Sequence, residues 1–309
     1  MLIALTLLIL VGFSWTYNGV VMGGVSRHNV SIPLMQLVAY SFGLVVGLGL
    51  LFSGLFPPLS ASRGATIQAC ILYSLVGMLS FPLIVAMAKG MERGPNSLVW
   101  AILQSGMVIP FIYGICFHGV KAGTVRLFGM EHLLLALPLM SINRKKEEKK
   151  ARGKSWVFFA LVAFLLCGIQ QTLNNEPSYS DEICSGVPAI HRCLFIYVSN
   201  LVVAIVMLFC PNQAAVRKDI RTHLRNRYLW IYAIGLQTLT MVTGLFLSFN
   251  AMDRMAKLGM GAVSYPVMVI SCILGFTLYS IIWLRERLTW EAIMGICLCI
   301  MGIVFLCIE

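Results

Sequence analysis

The sequence predicts an all-α integral membrane protein, with ten transmembrane helices arranged as two inverted five-helix repeats. Three observations lead there. Hydrophobic residues make up 59% of the 309-residue chain, charged residues only 11%, and the mean hydropathy is +0.87. Soluble domains do not have this composition. Next, a hydrocarbon core of about 30 Å takes about 20 apolar residues as helix. Ten such runs can be read, at 2–25, 32–53, 66–88, 95–117, 123–142, 155–174, 190–210, 228–250, 260–283 and 289–308. Finally, the motif Gly-x-x-x-Thr-x-Asn occurs near the start of each half, as Gly12–Asn18 and as Gly168–Asn174. Internal duplication in a membrane chain is a mark of many secondary transporters.

The first run starts without a basic region, and no clear small-x-small cleavage site follows it. It reads as a retained helix rather than a signal peptide. It carries the first motif copy, with Trp15, Thr16 and Asn18. Gly19-x-x-x-Gly23, and Gly43-x-x-x-Gly47 in the second run, would permit close helix contacts. The third run ends in Ala86-Met-Ala-Lys89, which matches Ala251-Met-Asp-Arg254 after the eighth. Gly94 then falls on Gly259 and Trp100 on Tyr265. After a one-residue gap Ser105, Tyr113, Ile115 and Gly129 fall on Ser271, Tyr279, Ile281 and Gly295. In the fourth run Asn96, Trp100 and Gln104 stand at i, i+4 and i+8, a polar-aromatic stripe on one face. The fifth holds the adjacent ionisable pair Glu131 and His132, the sixth holds Gln170, Gln171, Thr172 and Asn174, and the third and eighth add Gln68 and Gln237. Helix is the expected state throughout, because loops or sheet edges facing lipid would leave backbone groups unpaired.

Basic residues set the expected orientation. Of the 23 Lys and Arg, 17 fall in odd-numbered loops, seven of them in 144–154 and five in 217–227. The positive-inside rule then places odd loops in the cytoplasm and both termini outside the inner (plasma) membrane. Because five is odd, the second half enters the bilayer from the opposite side. The domains expected are thus 1–142, a basic cytoplasmic linker at 143–154, and an inverted repeat at 155–309. Such a repeat builds two pseudo-symmetric bundles with a site near the midplane. The net charge of +11 belongs to these topogenic loops and implies no nucleic-acid partner.

Polar side chains in hydrocarbon are costly and usually face the bundle interior. Trp15, Thr16, Asn18, Trp100, Gln104, Gln171, Thr172, Asn174, Gln237 and Tyr265 are the substrate-binding candidates. Amides both donate and accept, and aromatic faces suit a sugar ring or organic solute. The same residue types also serve as glue between helices, and tryptophan as an interface anchor. The repeat is expected to bring Thr16/Asn18 toward Thr172/Asn174. Glu131 and His132 are candidates for proton coupling, provided the carboxylate is buried. Cys184 and Cys193 flank an outward loop and could form a disulfide; the remaining cysteines are mostly intramembrane and behave as small apolar residues.

No Cys-x-x-Cys or histidine cluster suggests a metal, and no Gly-Lys-Ser/Thr suggests ATP-driven pumping. No Gly-x-Ser-x-Gly or His-Glu-x-x-His is present. A non-enzyme without cofactors is expected. Its partners would be a small-molecule solute, the lipid bilayer and, where bundles self-associate, a second copy in a homodimer.

With the 5+5 duplication, the segments Ala86–Pro110 and Ala251–Gly275, and the closing run Leu284-Arg-Glu-Arg-Leu-Thr-Trp-Glu-Ala-Ile-Met-Gly295, the chain resembles the drug/metabolite transporter (DMT) superfamily in its ten-helix EamA-type form. The first half departs from that pattern, since His118-Gly-Val-Lys-Ala-Gly123 lacks the acid. The basic fifth and seventh loops and Asn174-Asn-Glu-Pro177 are also similar to the L-rhamnose–proton symporter family. The resemblance implies a permease with a cavity lined by helices one to four and six to nine, with five and ten peripheral, and this argues against Glu131 as the coupling site. Sugar or metabolite transport by alternating access is the leading expectation. Efflux of amphipathic compounds or amino acids, and a non-transporting sensor, are the alternatives.

Overall fold

The structure, a computed structural model of the chain, describes residues 1–94, 96–141, 155–210, 213–282 and 290–308. Among the described residues every regular element is helical. The first half holds α1 (Leu2–Arg27), α2 (Ile32–Phe52), α3 (Arg63–Arg93), α4 (Asn96–Gln104), a 3₁₀ turn at Ser105–Met107, α5 (Val108–His118) and α6 (Thr124–Ser141). The second begins with α7 (Ser155–Asn175), a 3₁₀ turn at Glu176–Tyr179, α8 (Asp181–Gly186) and α9 (Ala189–Leu208). Then come α10 (Ala214–Lys218), α11 (Ile220–Arg225) and α12 (Arg227–Val242). A π-helical stretch at Thr243–Ser248 leads into α13 (Phe249–Lys257). A 3₁₀ turn at Gly261–Val263 opens α14 (Ser264–Ile282), and α15 is Trp290–Cys307.

Among the described residues each of the ten expected runs is helical over all but its ends, and eight segments are long and apolar enough to cross a membrane. They are Leu2–Val21, Ile32–Phe52, Arg63–Arg93, Val99–His118, Ser155–Tyr179, Ala189–Leu208, Arg227–Lys257 and Gly261–Tyr279. The fifth and tenth runs fall short of that standard. Arg126, Glu131 and His132 dilute the apolar content of α6, and the apolar part of α15, Ile293–Cys307, is short. The central linker, residues 283–289 of the closing run and the side chain of Asn96 lie outside the described part.

Local chemistry sets several helix ends. Pro33 sits in the first turn of α2, where its missing N–H costs nothing. The Asn226 side chain caps α12 by accepting the Tyr228 amide at 3.0 Å. Gly119, at φ 61°, closes α5 in the left-handed region that disfavours side chains.

The helices form two compact units, and neither is one of the sequence halves. One comprises Met1–Phe13, Pro82–Tyr179 and Ala251–Glu309; the other comprises Ser14–Phe81 and Ser180–Asn250. Each therefore takes helices from both halves. Two of the four crossings coincide with helix irregularities. The chain leaves the second unit at Pro82, which removes a helical hydrogen bond in α3, and at Asn250, just past the π-helical stretch.

In the first unit α7 packs against α4 and α5, and α6 against α15. Small residues make these crossings. A Cβ on Gly106 would lie 2.9 Å from the Phe164 carbonyl, and one on Gly129 2.9 Å from that of Gly302. The 261–273 stretch is buried throughout. In the second unit α2 packs against α9 and α12. Its core joins Val21, Val25, Leu34, Met35, Leu229 and Ala233 in one cluster, and Tyr73, Ile183, Ile190, Leu194, Tyr197 and Phe249 in another.

Candidate functional site

The C-terminal turns of α7 bring several polar groups of the first unit together. Gln171, Asn174 and Asn175 stand at helical i, i+3 and i+4 spacing, so they share a face of α7, and Ser178 follows in the 3₁₀ turn. Asn174 donates from Nδ2 to the Tyr265 hydroxyl at 2.6 Å. Asn175 donates to the Gly261 carbonyl at 3.1 Å and the Tyr179 hydroxyl at 3.4 Å. Gln171 spends its amide hydrogen on Cys167 Sγ at 3.2 Å. In each of these three amides the nitrogen is engaged, while the carbonyl oxygen is buried without a partner. The Thr172 hydroxyl turns back to the Gly168 carbonyl at 2.8 Å, an intrahelical use that takes it out of any shared polar face. Gln104 is buried on α4, which packs on α7, and Trp100, one turn earlier, is half-buried.

Beside this face lies a cluster that reading the sequence alone missed. His118, the last residue of α5, meets Glu176 at 2.7 Å between Nε2 and Oε2. Its ring stacks on that of Tyr179 with centroids 3.7 Å apart and planes 3° apart. Tyr113 lies on the same helix as His118 and faces Glu176. Ser178 donates to Asp253 Oδ1 at 2.8 Å. Close backbone approach makes room for Tyr179: a Cβ on Gly261 would sit 2.7 Å from its ring, and one on Gly114 2.9 Å from its hydroxyl. One signal was present in the sequence, since His118 and Glu176 are ionisable residues closing two apolar runs.

The second unit holds the later part of the first motif copy, with Trp15, Thr16 and Asn18 all half-buried. Tyr17 lines an open groove of about 460 Å³ together with Gly235, Thr238, Leu239 and Val242. Gln237 is 2% exposed and packs where Gly43 leaves room, since a Cβ there would collide with its amide. Gln68, by contrast, is exposed.

Two expectations differ from what the structure shows. Glu131 is exposed on α6 rather than buried, and His132 turns to its own Phe128 carbonyl at 2.7 Å and lies edge-on to Phe305. The disulfide between Cys184 and Cys193 is not formed. Cys193 is a free thiol, 3% exposed, directed into the core near Tyr197 and Gly244. Arg192, inside the seventh run, is 2% exposed. It donates to the carbonyls of Val187 at 2.8 Å, Ile183 at 3.0 Å and Cys184 at 3.3 Å, and lies 5.4 Å from the Phe249 ring. It thereby satisfies the C-terminal carbonyls of α8. Among the described residues no group of His, Cys, Asp and Glu is placed to hold a metal ion.

No family model and no curated protein matches the chain. Among solved structures 28 chains match. One crystal structure aligns over 97% of this chain and 95% of its own, with a TM-score of 0.65 and 14% identity. That likeness shows a shared fold.

Proposed function

We propose that this chain is a secondary transporter for a small, hydroxyl-rich organic solute such as a sugar or related metabolite. It works by alternating access in a cell inner membrane. In this reading it is a ten-helix member of the drug/metabolite transporter superfamily, its halves are inverted repeats, and both termini face outward. The duplicated motif and the parity of the helices support the inverted repeat.

One observation carries the solute class. Gln171, Asn174 and Asn175 present buried carbonyl oxygens without donors, on one face of a membrane-length helix. Each unmet acceptor costs roughly 1–3 kcal/mol, and a solute that donates several hydroxyl hydrogens offsets that cost. Tyr265 fixes Asn174 so that its oxygen stays available. Asn18, the repeat counterpart of Asn174, is assigned the same work in the second unit. The test is a thermal-shift screen of purified protein against a metabolite library, followed by uptake of the hits into proteoliposomes. Polyols and sugars should dominate the hits. Failure of every hit to enter the vesicles would overturn the transport reading.

A second reading, efflux of amphipathic compounds, rests on the open groove beside Tyr17, whose lining is mainly apolar. Hits confined to apolar cations or detergent-like molecules would favour it.

A further inference from the structure

We propose that His118 and Glu176 form the proton-binding site that couples solute movement to a proton gradient. The inference rests on the transporter reading above and adds a coupling ion and its carrier.

The geometry is specific. The two groups come from different helices, 58 residues apart in sequence, and meet at 2.7 Å. Both sit where membrane-length segments end, at the close of Val99–His118 and within Ser155–Tyr179. Their side chains are 20% and 24% exposed, so the protein covers most of the pair without sealing it. An imidazole and a carboxylate sharing one hydrogen bond can take up one proton from water and keep that bond. The neutral imidazole and carboxylate carry one negative charge; the imidazolium and carboxylate carry none. The proton leaves again to water, so charge and atoms balance over a cycle.

The surroundings connect this change to the amide face. Glu176 follows Asn174 and Asn175 directly in the chain. The Tyr179 ring stacks on His118, while its hydroxyl meets Asn175, whose amide also holds the Gly261 carbonyl at the start of the segment bearing Tyr265. Neutralising the pair alters the field at Tyr179 and at the end of α7, where the unpaired oxygens of Asn174 and Asn175 lie. The titratable groups around the pair are Tyr113 on α5, Tyr179 on the turn after α7, Tyr265 on α14 and, through Ser178, Asp253 on α13. A purely structural clasp between α5 and the end of α7 is the competing role.

Proteoliposomes holding the full chain separate the roles, with radiolabelled aldohexoses and aldopentoses tested one at a time as probes. Counterflow exchanges internal for external sugar and needs no net proton movement. Uphill uptake driven by an imposed pH difference does need it. With one proton per sugar, a difference of one pH unit sustains about tenfold accumulation. Wild-type protein should show both activities. Glu176→Gln keeps a hydrogen-bonding partner for His118 but loses the acid, and His118→Asn loses the imidazole. Both variants should retain counterflow and lose gradient-driven accumulation, with the ratio falling to about 1. Counterflow in the wild type with no response to the pH difference would overturn the coupling proposal alone. So would accumulation that persists in both variants. A clasp predicts a lower melting temperature with accumulation intact, which also overturns it. Absence of wild-type counterflow for every sugar would refute the solute assignment, and the coupling proposal falls with it.

Discussion

Asn174 donates to the Tyr265 hydroxyl at 2.6 Å, and in doing so leaves its own carbonyl oxygen buried with no partner. The bond holds the amide in one orientation. It also joins two residues that the sequence marks separately, one as a repeated motif position and one as the counterpart of Trp100.

Asn174→Ala removes that oxygen and should weaken solute binding by about 5- to 150-fold, the equivalent of roughly 1–3 kcal/mol. Asn18→Ala should act in the same direction. Tyr265→Phe frees the amide to rotate and should weaken binding less. Affinity and melting temperature are measured on the same purified variants. If melting falls while the surviving protein binds normally, these residues are helix–helix glue rather than a binding site.

Arg192 supplies donors to three carbonyls around α8. Arg192→Leu strips those donors from a buried turn and should destabilise the protein by about 1–3 kcal/mol. Arg192→Lys should fall between, because an ammonium lacks the planar fork. Thermal melting in detergent ranks the three proteins, and equal melting of Arg192→Leu and wild type would refute this role.

Gly77 tests the packing of the second unit. A Cβ there would lie 2.6 Å from the Ile196 carbonyl and collide with the Ser199 side chain. Gly77→Ala should cost about 1–3 kcal/mol through overpacking. Gly49 is the control, with nothing within 4 Å of its added Cβ. Gly49→Ala should leave melting unchanged or raise it slightly, as alanine favours helix. Equal melting of the two variants would show that α3 and α9 do not pack this closely.

Glu182 accepts the Ser62 amide at 3.0 Å, and its hydrogen bonds with Ser62 hold its carboxyl below the ordinary 4.5. A carboxyl lowered in the folded state stabilises above its unfolded value, and that contribution disappears as pH falls through the folded value. The melting difference between wild type and Glu182→Gln should therefore be present at neutral pH and close below about pH 4.5. The effect is small, because the group is exposed. A difference that is constant across this range would exclude the linkage.

Orientation can be read by labelling introduced cysteines in intact cells with an impermeant thiol reagent, against the parent protein. Ser155 and Ser185 are both exposed, whereas Ser178 is buried against Asp253 and would report poorly. A cysteine at 155 should be shielded and one at 185 labelled. The reverse pattern would invert the assigned orientation and leave the repeat intact.

Much of this molecule was legible from local pattern. Each apolar run became helix, because a chain in hydrocarbon must pair its own backbone groups, and that requirement acts residue by residue. The duplicated motif drew attention to Asn174, which together with Gln171 bears a buried, unpaired carbonyl oxygen. Burial was less legible. Glu131 looked interior from its depth in the fifth run, yet it lies on an exposed face of α6. Arg192 carries a charge near the start of an apolar run, yet it is buried over the α8 turn.

The sequence alone thus determined the all-helical class, the apolar helices of membrane length and the approximate helical runs. These follow from composition, length and spacing, all of which are readable along a single segment. Only the tertiary structure decided that His118 meets Glu176, that Tyr265 takes one end of Asn174, and that the compact units mix helices from both halves. Such pairings depend on which faces of distant helices pack together, and a helical period shows that a face exists without showing what lies across from it.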